Sequence, residues 1–199
     1  MRGKSLILTC MLLLALGLVG ASSALAANGP GGMAYDEPPA AAAPIAPVSA
    51  LAGQPVVPGD EAEIVEGGLA AAPAAAPDAV KRAIWAANEI VGRPYRYGGG
   101  HARGFTDRGY DCSGAVSYAL HGGDLLDSPL DSSSFLRWGG RGAGDWITVY
   151  TNPGHAYVVI AGLRLDTSSA GDPRGGKGPR WRPNLRSSRG FRARHPLAL

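Results

Sequence analysis

The sequence predicts an α+β domain in which helices come first and an antiparallel sheet follows. Three observations carry this expectation. Val80, Ile84, Ala87 and Val91 recur at helical spacing behind Pro77. A second apolar run, Ala115 to Leu120, follows Asp111-Cys112-Ser113-Gly114 and stops at Gly122-Gly123. Beyond Gly139 the pattern changes to short strand-like runs, separated by the breakers Asn152-Pro153-Gly154 and Ala161-Gly162. Helices followed by strands with short connections favour helices packed on an antiparallel sheet.

Each element has its own signals. The first helix is expected from Asp78 to Val91, with Asp78 placed to cap it and Gly92 to end it. The stretch from Gly92 to Gly100 reads as a turn with a short extended piece, and the glycine- and charge-rich chain up to Tyr110 as an exposed loop. Cys112 to Leu120 forms the second helix with Asp111 as N-cap, and Ser132 to Trp138 a short third one. Strands are expected over 145–150, 155–160 and 163–167, with Phe191 to Arg194 as an edge strand.

Ahead of this domain the composition differs. Residues 1–26 read as a signal peptide: Arg2 and Lys4 precede an apolar core, and Ala24-Leu25-Ala26 offers a small-residue cleavage site. The core is short for a membrane span, which needs about 20 residues, so no stable span is expected after cleavage. Residues 27–77 are dominated by alanine, proline and glycine and read as a disordered linker, because few large apolar side chains offset the entropy of ordering. Residues 78–199 contain all four tryptophans and suffice for one ordinary domain.

Charge is spread unevenly. From Leu163 to the end nine cations, eight of them beyond Asp172, face only Asp166 and Asp172. Such a segment either holds an anionic polymer by long-range attraction or forms a solvated surface loop. An exported chain without a recognition motif is not expected to bind nucleic acid, so a cell-wall polymer is the better partner.

The chemistry converges on Cys112. The only other cysteine, Cys10, falls in the expected signal peptide, so the mature chain carries one thiol and no internal disulfide. A thiol with the ordinary pKa of about 8.5 is mostly protonated at neutral pH, and a helix N-terminus together with an imidazolium favours the reactive thiolate. Cys112 begins the second helix. His155 opens the most apolar strand and is the expected base, whereas His101, His121 and His195 read as surface residues in loops and tail. If the chain turns at Ala161-Gly162, Tyr157 falls opposite Asp166, and His155 and Asp166 become diagonal neighbours on one face. Asp166 is then the expected orienting group for the imidazole. No paired-cysteine, His-Xaa-Xaa-Xaa-His or clustered carboxylate spacing supports a metal, and no cofactor is expected.

Four elements in order, Gly92-Arg93-Pro94-Tyr95-Arg96-Tyr97-Gly98-Gly99, Asp111-Cys112-Ser113-Gly114, Gly144-Asp145 and Gly154-His155, resemble the NlpC family of bacterial cell-wall cysteine peptidases. The resemblance implies a compact papain-like fold and a secreted, cell-wall-associated hydrolase. Its implied substrate is a peptidoglycan stem peptide, cut at a D-glutamyl–diamino acid bond. It implies Cys112 and His155 as catalytic, Tyr95 as a cleft tyrosine, and Asp111 and Ser113 as substrate-binding residues. Asp166 departs from the family, whose third residue is commonly histidine, asparagine or glutamine, and the arginine-rich tail has no counterpart. Alternatives are a catalytically inactive wall-binding or scaffold protein of the same fold, or a related cell-envelope amidase or acyltransferase.

Overall fold

The computed structural model describes residues 53–197 and residue 199; the signal-peptide reading and the linker reading of residues 27–52 lie outside them. Within the described residues two sheets and three helices form an α+β fold, with helices preceding the main antiparallel sheet. No helix of the described residues is long and apolar enough to cross a membrane.

The folded region begins upstream of residue 78, which corrects the linker reading for residues 53–77. Strands β1 (Val56–Val57), β2 (Glu63–Ile64) and β3 (Ala70–Pro73) form a small sheet in the order β1-β3-β2. Ala70, Ala71 and Ala72 are fully buried, and Ala70 and Ala72 share a core cluster with Val80, Ala83, Ile84 and Ala87 of helix α1 (Asp78–Ile90). Methyl side chains let β3 approach the helix closely enough for backbone recognition. Asn88 donates its amide to the Ala70 carbonyl and accepts the Ala70 N–H, both at 2.9 Å. Trp85 donates to the Pro55 carbonyl, and the Ala62 N–H to that of Ala161. These specific bonds help to order a segment that has few large apolar side chains.

Helix α1 starts at Asp78 itself. Pro77 occupies the cap position, and Asp78 instead lies 3.8 Å from Lys81. Helix α2 (Cys112–Gly122) has the expected Asp111 cap, and α3 (Ser132–Phe135) is shorter than the sequence suggests.

The main sheet comprises β4 (Gly140–Arg141), β5 (Ile147–Asn152), β6 (His155–Ile160), β7 (Leu163–Asp166), β8 (Arg180–Arg182) and β9 (Arg192–His195), in the order β4-β9-β5-β6-β7-β8. Strand β9 is therefore internal and not an edge, because β4 pairs with its outer side. One set of alternating residues, Ala156, Val158, Ile160 and Leu165, packs with Val116, Ala119 and Leu120 of α2. The other set includes Tyr150 and Tyr157, stacked at 5.0 Å between centroids.

The arginine-rich segment covers this second set, and it is not a free basic tail. Phe191 meets the Tyr157 ring edge-on, and the Arg186 guanidinium stands 5.1 Å from both ring centres. Arg164 and Arg182 are wholly buried. Arg182 donates to Asp172 at 2.7 Å and to the carbonyls of Gly175, Gly176 and Asp166, stapling the loop before β8 to the sheet.

The glycine-rich loop is also folded. Phe105 is buried and stacks on His121, whose Nδ1 lies 3.0 Å from the Leu126 carbonyl. His121 is thus a packed structural residue and not a surface one.

Candidate active site

The start of α2 is fixed by glycines and one carboxylate. A Cβ on Gly114 would come within 2.0 Å of the Gly99 carbonyl oxygen, and one on Gly100 within 3.0 Å of the Gly114 Cα. Only hydrogen at these positions lets the Gly98-Gly99-Gly100 turn lie against the first turn of the helix. Asp111, in extended conformation, accepts the Gly114 N–H at 2.8 Å through Oδ1 and the Gly98 N–H at 3.0 Å through Oδ2. Cap and turn together place Cys112 at the first helical position, where the N–H groups of Cys112 and Ser113 have no intrahelical acceptor.

His155 arrives from β6. Asn152 Oδ1 accepts the N–H groups of Gly154 and His155, each at 2.9 Å, and so shapes the turn that leads into the strand. Across the β6–β7 hairpin Val158 pairs with Leu165, which puts Asp166 on the face of His155. His155 Nε2 lies 2.9 Å from Asp166 Oδ1. The Cys112 sulfur also lies close enough to the imidazole for each group to shift the other's pKa. With Nε2 turned to Asp166, Nδ1 is the nitrogen left for the thiol. The structure thus brings Cys112, His155 and Asp166 together from α2, β6 and β7.

The electrostatics favour an ion pair. Burial pushes the Cys112 thiol up, but the His155 hydrogen bond and the Ala156 N–H more than offset it, and its pKa is lowered. Burial pulls the His155 pKa down, and the bonds to Asp166 and Cys112 overcome this and raise it to about 9. Asp166 has no exposed side-chain surface. Its Oδ1 also accepts the Ser168 N–H at 2.8 Å, while Oδ2 lies 2.9 Å from Arg186 Nη1 and 3.5 Å from Arg164 Nε.

Cys112 opens onto a cleft of about 520 Å³ lined by Tyr95, Tyr97, His101, Ser113, Asp131 and Gly154, among others. Tyr95 is partly exposed, and its pKa is raised by burial and by the negative charges of Cys112 and Asp111. Asp111 and Ser113 are buried and bonded to each other, Ser113 Oγ donating to Asp111 Oδ1 at 3.2 Å. Four donors converge on the Asp111 carboxylate, so its structural role as cap is filled before any substrate arrives.

His101 is in the cleft, not on a plain surface loop. Its Nε2 lies 3.0 Å from Asp111 Oδ1, and that hydrogen bond raises its pKa. The signal was its position directly after Gly98-Gly99-Gly100, which pack on α2. Arg164 and Arg186 carry no sequence signal for this place, because arginine reads as solvent-facing.

No family model and no curated protein matches the chain. Among solved structures it is similar to the peptidoglycan hydrolase RipB from Mycobacterium tuberculosis, at a TM-score of 0.43 and 24% identity, over 59% of this chain and 64% of that one. A likeness of this size assigns neither family nor activity, and the chain spans less than two thirds of that structure's length.

Proposed function

We propose that the chain is a secreted cysteine hydrolase that cuts peptidoglycan stem peptides at the D-glutamyl–diamino acid bond. The observation that carries the reading is the Cys112 sulfur at the start of α2, beside an imidazole that lowers its pKa and whose Nε2 is held by Asp166 at 2.9 Å. The substrate class rests on the sequence motifs that resemble cell-wall cysteine peptidases.

In this mechanism the Cys112 thiolate attacks the carbonyl carbon, and the C–O π electrons move to oxygen. The N–H groups at the start of α2 face the developing oxyanion. Collapse breaks the C–N bond as His155 transfers its proton to the leaving amine, which gives a thioester and a free amine. Neutral His155 then takes a proton from water, hydroxide attacks the thioester, and the acid leaves with the thiolate–imidazolium pair restored. Asp166 orients the ring throughout. Tyr95, Ser113 and Asp111 line or brace the substrate side of the cleft.

The test incubates the purified chain and its Cys112→Ala variant with muropeptides and identifies products by mass. Cleavage by the first alone supports the reading. Cleavage by both removes the thiol from the mechanism, and cleavage by neither favours a wall-binding role.

A further inference from the structure

The mechanism leaves unexplained why a full carboxylate beside His155 is crowded by guanidinium groups. An isolated buried carboxylate in contact with an imidazole would hold the imidazolium strongly, since an opposite charge in low dielectric favours the charged form. Such a ring would surrender its proton to a leaving amine reluctantly. Asp166 is not isolated. Its Oδ1 serves His155 at 2.9 Å, while its Oδ2 receives Arg186 Nη1 at 2.9 Å and lies 3.5 Å from Arg164 Nε.

Both cations are committed to this place. Arg164 is wholly buried, and its three guanidinium nitrogens have no hydrogen-bond partner among the described residues, so Asp166 is its one charge partner there. Arg186 is held by Tyr157 and Phe191, whose ring centres both lie 5.1 Å from its guanidinium carbon. Its Nη1 also lies 3.4 Å from His155 Nε2. An Nε2 that donates its hydrogen to Asp166 cannot accept from Arg186, so this contact sets cation against cation whenever the ring is doubly protonated.

We infer that Arg186 is a positioning residue for the proposed reaction: with Arg164 it fixes the Asp166 carboxylate and offsets part of its charge, so that His155 is oriented while its hold on the proton is eased. The inference rests on the hydrolase reading for its purpose, but its physical content is independent of any substrate. The charged or titratable groups gathered at His155 are Cys112 from α2, Asp166 and Arg164 from β7, Tyr157 from its own strand, and Arg186 from the segment after β8.

The test follows the protonation of the His155 ring by NMR in the full chain, with Arg186→Met, Arg186→Gln and Arg186→Lys variants. Removing the cation raises the His155 midpoint by about one pH unit in the Met and Gln variants. The Lys variant keeps the charge and stays near wild type. A purely structural Arg186 would leave the midpoint in place, so a neutral variant titrating as wild type overturns the inference. A Lys variant shifting as far as Met overturns it too. Gln preserves a hydrogen-bond donor toward Asp166 and carries the test if the Met variant does not fold. Muropeptide cleavage by the wild-type chain is scored separately, so loss of the hydrolase reading is distinguished from failure of the titration.

Discussion

Nε2 of His155 lies 2.9 Å from Oδ1 of Asp166, across a hairpin whose turn residues, Ala161 and Gly162, both adopt positive φ. Two-residue turns of this kind match the twist of the flanking strands and fix their register. That register is what places a carboxylate from β7 beside an imidazole from β6.

Asp166→Ala removes the orienting group and leaves Arg164 buried without its charge partner. Turnover is expected to fall roughly 100-fold or more, and stability by about 3–5 kcal/mol, the range for breaking a buried pair. Steady-state hydrolysis and urea unfolding check the two effects. An unchanged turnover number would take Asp166 out of the site.

Asp172 gives the fold an acid sensitivity of its own. Burial would raise its pKa, but the Arg174 N–H and the Arg182 and Arg174 guanidiniums lower it to about 2. The folded-state value lies below the unfolded value of about 3.9. The contribution is therefore present above about pH 4 and is lost as pH falls toward 2. Urea midpoints between those limits should fall more steeply for wild type than for Asp172→Ala, and parallel slopes would contradict this.

Gly114→Ala tests the seat of the nucleophile. The added methyl meets the Gly99 carbonyl at 2.0 Å, and backbone on both sides leaves little room to give. A loss of about 1–3 kcal/mol is expected from such overpacking, together with slower alkylation of Cys112. Wild-type unfolding and alkylation would show that the glycine contact does not hold α2 in place.

A fragment beginning at Asp78 should be less stable than one beginning at Gly53. It lacks Ala70, the partner of Asn88, and Pro55, the acceptor for Trp85. Each polar group left buried without a partner costs about 1–3 kcal/mol. Equal melting temperatures for the two fragments would make residues 53–77 dispensable.

Much of the site was legible because it depends on local chemistry and a single turn. The Asp111 cap, the helix from Cys112 and the His155–Asp166 register follow from neighbouring residues or from one short hairpin. Residues 53–77 were not legible, because alanine-rich chain resembles an unfolded tether unless a partner helix with an Asn88-like recognition group is already in view. The inward-facing arginines were hidden for a similar reason: Arg164 and Arg182 become interior residues, and Arg186 a half-buried one, only when Asp166 and Asp172 are placed beside them in space. His101 joins the cleft through glycine packing between segments, which no periodicity reports.

The most direct measurement is the rate of Cys112 alkylation by iodoacetamide across pH, in the wild-type chain and in His155→Ala. The wild-type thiol should reach half its limiting rate below the ordinary thiol pKa of about 8.5, because its pKa is held down by His155 and the Ala156 N–H. In the variant burial acts with one counterweight fewer, and the midpoint should rise. Identical profiles for the two proteins would show that the imidazole does not activate the sulfur.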